Sequence, residues 1–158
     1  MRIVVSALAL CAAPAAVSQP AAPAAKPPPT VLSTKDVMRH VVNPAAERFW
    51  KTSGSVSDES GAHDRAPTSD ASWTEMVDAG AILHEAGETL GLPGRGPDDA
   101  PWKRYARMLS DAGVQAMDAA RAKDADKAFE AGSAIYDACY ACHGRYIPRP
   151  KNSLWKQP

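Results

Sequence analysis

Near the C-terminal end of the chain stands Cys139-Tyr140-Ala141-Cys142-His143, and the types and spacing of its three reactive side chains admit a narrow chemistry. Two thiols offset by three positions on a helix lie on one side of it, where both can add across the two vinyl groups of one porphyrin to make thioethers. The histidine directly after them is placed to give an imidazole nitrogen to the iron. The motif therefore predicts one covalently attached haem c, bound through Cys139 and Cys142, with His143 as an axial ligand. A zinc site would need two further ligands, yet the remaining histidines, His40, His63 and His84, are scattered along the sequence. A thioredoxin-like redox pair would need a βαβ setting, for which the pattern offers no strands.

The N-terminus tells where such chemistry would be carried out. Arg2 forms a minimal basic start, Ile3 to Ala13 a short apolar stretch, and Ala16 and Ser18 supply small residues before Gln19, the pattern of an export signal cleaved after Ser18. Lipidation at Cys11 is disfavoured by the bulky Leu10 before it. Loss of residues 1–18 leaves Cys139 and Cys142 as the two cysteines of a periplasmic protein. No later segment approaches the roughly 20 apolar residues of a membrane-spanning helix. Residues 19–32 are dominated by Ala and Pro, ending in Pro27-Pro28-Pro29, and read as an extended linker. Among 158 residues, 18 basic and 18 acidic side chains cancel, and no basic stripe offers a nucleic-acid surface.

The elements that must hold the motif follow from helical periodicity over residues 33–147. A first helix begins near Ser33 or Thr34 and presents Met38, Val41, Val42, Ala45 and Phe49 on its core stripe, with a kink expected at Pro44. Asp36, His40, Asn43 and Glu47 form its polar face. Lys51 to Asp70 lacks periodicity and reads as a long loop. A second helix from about Asp70 carries Trp73, Met76, Val77, Gly80, Leu83, His84, Gly87 and Leu90 to a stop at Gly91-Leu92-Pro93-Gly94. The third starts near Asp98 or Asp99 and presents Trp102, Tyr105, Ala106, Leu109, Gly113, Ala116 and Ala120. A fourth runs from about Asp124 through the motif to Tyr146, and residues 148–158 form a tail. The expected fold is all-α, an antiparallel up-down-up-down four-helix bundle with covalently bound haem.

With these residues in place, the chain resembles the class II c-type cytochromes, the cytochrome c prime family and its low-spin relatives with a Met/His-ligated iron. The resemblance covers about Val31 to Tyr146. It rests on the haem motif, on Val37-Met38-Arg39-His40-Val41-Val42-Asn43-Pro44-Ala45-Ala46, on Arg65-Ala66-Pro67 and Trp73, and on Cys142-His143-Gly144-Arg145-Tyr146. It departs from the family at Ile147, where a basic residue is common four places after the histidine. In such a bundle the start of the first helix lies level with the end of the fourth, which makes Met38 the expected second axial ligand on the face opposite His143. His84 is its rival, read as a locally hydrogen-bonded boundary residue. Met76, Met108, Met117, Trp50, Trp73 and Trp102 read as packing, and Arg39 and Arg145 as residues flanking the haem. The implied function is one-electron transfer to redox partner proteins, without enzymatic activity and with a homodimer left open. The alternative is a five-coordinate protein that binds NO or CO.

Overall fold

The computed structural model describes residues 31–148, so the expected signal peptide, most of the linker and the tail from Arg149 lie outside the described residues. Ser33 caps the first helical arm. Its hydroxyl accepts from the Asp36 N–H at 3.2 Å, and the Asp36 carboxylate accepts from the Ser33 N–H at 3.3 Å, so the helix start satisfies its own orphan donors. The arm continues as α1 (Thr34–Val37), a π-helical turn (Met38–Val42) and α2 (Asn43–Lys51), with right-handed helical backbone at both joins.

Just before Pro44, where a kink is expected, the helix carries this wide turn. In a regular helix the proline ring collides with the carbonyl four residues back and offers it no N–H. Here the turn takes in one extra residue, and the Asn43 N–H reaches five residues back to the Met38 carbonyl. The extra residue corrects the expected stripe. Val37 and Val42, five apart, are buried ahead of Ala45, Ala46 and Phe49, whereas Met38 is half-buried beside that stripe.

Between Lys51 and Asp70, expected to be irregular, lies a hairpin of β1 (Ser55–Asp58) and β2 (Gly61–Asp64), paired antiparallel from Ser55 opposite Asp64 to Asp58 opposite Gly61. Every residue of both strands is exposed, so no apolar alternation marked them. Local bonds hold the turn: Asp58 Oδ1 accepts from the Ser60 N–H at 2.8 Å and from Ser60 Oγ at 2.6 Å.

Three long helices complete the described residues: α3 (Asp70–Gly91), α4 (Ala100–Arg121) and α5 (Ala125–Tyr146). Side chains of Ser69, Asp99 and Asp124 cap their N-termini, as residue type predicts. The expected boundaries of these three helices therefore hold closely. α3 and α4 pack most intimately because Gly80, Gly87 and Gly113 let the two backbones touch. A Cβ on Gly87 would stand 2.5 Å from the Ser110 nitrogen. Phe49, Met76, Leu83 and Ile135 are the largest fully buried side chains, surrounded by a core that is mostly alanine. Alanine removes little apolar area from water, so this core gains modest hydrophobic stabilisation for its length.

Candidate functional site

α5 packs along α4 but meets α2 only sparsely, leaving a seam between the first arm and the C-terminal half of α5. The seam closes at its far end, where the Trp50 indole donates to the Gly132 carbonyl at 3.0 Å. At the other end it opens into a narrow cleft of about 30 Å3. Ala138, Cys139, Cys142 and His143 form its α5 wall. Met38 and Val42 face them from the π turn, and Leu90, Trp102, Tyr105, Ala106 and Leu109 form the floor from α3 and α4. A wider groove runs along the outside of the same seam, bordered by Lys35, Arg39, Ala46 and Trp50 on one side and by Tyr136 and Tyr140 on the other. Met38, Val42, Cys139 and His143 border both spaces.

The helical offset explains the α5 wall. Residues 139 and 142 lie one turn apart on the same side, and 143 follows on the edge of that side. Both cysteines are half-buried free thiols. Burial pushes both above the ordinary thiol range, and Cys142 is raised further by its proximity to Cys139. Reactive redox cysteines and thiolate metal ligands have the opposite bias, toward the anion. The His143 side chain is exposed toward the two spaces it borders.

The floor is fixed by hydrogen bonds that sequence reasoning did not find. Tyr146 OH donates to Asp99 Oδ1 at 2.6 Å, and the same oxygen accepts the Trp102 N–H at 2.7 Å. These two donors hold the Asp99 carboxyl below the usual carboxylate range, while burial and the bond to Asp99 raise the Tyr146 phenol. The Trp102 indole donates to the Leu90 carbonyl at 2.7 Å, and its ring meets Tyr146 edge-on with centroids 5.2 Å apart. An aspartate at a helix start is legible in a sequence; its tyrosine, 47 residues away, is not.

His84 borders neither space. Its Nδ1 lies 2.9 Å from Ser110 Oγ and 3.2 Å from the Ser110 carbonyl, and Ser110 in turn donates to Glu88 Oε1 at 2.7 Å. His40 is exposed on the polar face of the first arm, and His63 bonds within the hairpin. Met76 is fully buried, and Met108 packs against the core. The Met117 side chain lies beside Gly80. Arg39 borders the outer groove, whereas the Arg145 guanidinium lies over the Tyr146 ring at 5.7 Å. Among the described residues, no three His, Cys, Asp or Glu side chains converge as a metal-ion set.

The site's residues fit a flat, largely apolar macrocycle: two protonated thiols on one wall, an imidazole beside them, a thioether on the opposing arm, and an apolar floor. An iron held by such a group needs only one or two protein ligands. Comparison with family models, curated proteins and solved structures found no match.

Proposed function

We propose that the chain is a periplasmic one-electron transfer protein with a single haem c in the cleft between the first arm and α5, set in an up-down-up-down bundle. The observation that carries this reading is the convergence of Cys139, Cys142, His143 and Met38 on one mostly apolar cleft. When bound, the haem supplies an iron that gains or loses one electron. In this reading Cys139 and Cys142 would anchor the macrocycle as thioethers, and His143 would give the iron an imidazole nitrogen. Met38 would give it a thioether, which favours ferrous iron and raises the potential. Leu90, Trp102 and Leu109 exclude water from the floor. Lys35 and Arg39, along the outer groove, offer cations to the propionates or to an incoming redox partner protein. Among the described residues no helix is long and apolar enough to cross a membrane.

The test is the absorption spectrum of the exported holoprotein in both oxidation states. Low-spin spectra with the weak red charge-transfer band of methionine-ligated ferric haem are expected. A high-spin spectrum with ready CO binding would instead make the chain a five-coordinate gas-binding protein, and absence of covalent haem would overturn the whole reading.

A further inference from the structure

The π turn does more than accommodate a proline. Successive residues of an α-helix are about 100° apart. Counted back from buried Phe49 in unbroken α register, Met38 would fall on the same face as Phe49, against α3. With one extra residue in the turn, Val37 takes that place, and it is Val37 that is buried at 5% exposure. Met38 is carried about one residue's rotation round the arm, into line with Val42, Ala46 and Trp50, which border the seam opposite Cys139 and His143. Val37 and Val41 border a separate cleft against α3. The register that buries a valine against α3 is thus the register that sends the thioether toward α5.

From this geometry we infer that Pro44 is a positioning residue for the sixth iron ligand: by imposing the π turn it sets the rotation of Met38 toward the haem face. The inference rests on the proposed ligation by Met38. Its physical basis is the bond from the Asn43 N–H to the Met38 carbonyl, together with the N–H that proline lacks. An alanine at position 44 restores a donor for the His40 carbonyl and removes the ring that kept the turn wide. The arm then tightens to α register, and Arg39 replaces Met38 on the seam.

Two variants of the haem-loaded protein test this. Pro44→Ala should keep its covalent haem but lose the methionine-to-iron charge-transfer band and turn high-spin. Pro44→Ala combined with deletion of His40, an exposed residue within the turn, removes the extra residue itself. It should return Met38 to the seam in an ordinary α-helix and regain the band. Hydrogen-bond scalar couplings by NMR read the register independently of the iron: Asn43 N to Met38 carbonyl in the wild type, Asn43 N to Arg39 carbonyl in Pro44→Ala. The inference is overturned if Pro44→Ala keeps the wide turn, if it adopts α register and still shows the band, or if the deletion fails to restore it. A wild type without the band is a different failure: it refutes ligation by Met38, whatever the couplings show.

Discussion

Cys139 and Cys142 share one wall of the cleft, raised by burial and kept protonated at neutral pH. Replacing both by alanine should abolish haem that survives a denaturing gel, because no other thiol stands among the described residues; haem-stained bands persisting in that variant would refute attachment there. Met38 and His84 are separable at the same scale. Met38→Ala should convert the ferric spectrum to high-spin, lower the reduction potential and open the iron to CO. His84→Ala should leave spectrum and potential unchanged. It should cost about 1–2 kcal/mol in denaturant titrations, since it removes a hydrogen bond to the buried Ser110 and nothing near the cleft. A high-spin His84→Ala protein would reverse this assignment.

At the level of elements, one carboxylate ties the start of α4 to the end of α5. Asp99 caps α4 and accepts from Tyr146 at the end of α5, three residues after His143. Its pKa is lower folded than unfolded, so its contribution is present above the usual carboxylate value of about 3.9. That contribution is lost as pH falls from there through the folded value. Acid titration should therefore release the Tyr146 end of α5, seen as a change in near-ultraviolet circular dichroism. Asp99→Asn should remove most of that pH dependence; an unchanged acid transition would show that another carboxylate governs it. The α3–α4 contact makes a different demand, for absence of side chain. Gly87→Ala places a methyl against the Ser110 and Ala106 backbone and should cost about 1–3 kcal/mol in thermal unfolding. A neutral result would mean that the two helices can separate freely.

For the whole molecule, an alanine-rich core and a sparsely packed seam between α2 and α5 leave much of the stability to whatever fills the cleft. A group that binds only the folded chain stabilises it by mass action, and one attached covalently cannot be diluted away. The haem-free Cys139→Ala, Cys142→Ala protein should accordingly melt on the order of 10 °C below the holoprotein, about 2 kcal/mol for a domain of this size. An equal melting temperature would show that the helices close the seam by themselves. Mass spectrometry of the exported protein should find a chain that begins near Gln19 and carries one haem. A retained Met1 or a lipid on Cys11 would refute cleavage after Ser18.

Sequence alone determined what depends on neighbours along the chain: three helix starts, near Asp70, Asp99 and Asp124, and the thiol, thiol and imidazole brought together by spacing on one helix, whereas the cap of the first of these helices proved to be Ser69. It could also foretell that His84 belongs to a local hydrogen bond, though not that Ser110 would be the partner, because the two are 26 residues apart. The hairpin at Ser55–Asp64 escaped because its residues are all exposed and its stability comes from backbone pairing. The face that Met38 presents escaped for a different reason. Periodicity assumes 3.6 residues per turn, and Pro44 changes that count within the helix. Only the packing of Val37 in place of Met38 in the core reveals how the turn was widened. Tertiary structure likewise decided that the seam would lie between α2 and α5, since amphipathic stripes show which residues leave water but not which helix each one meets.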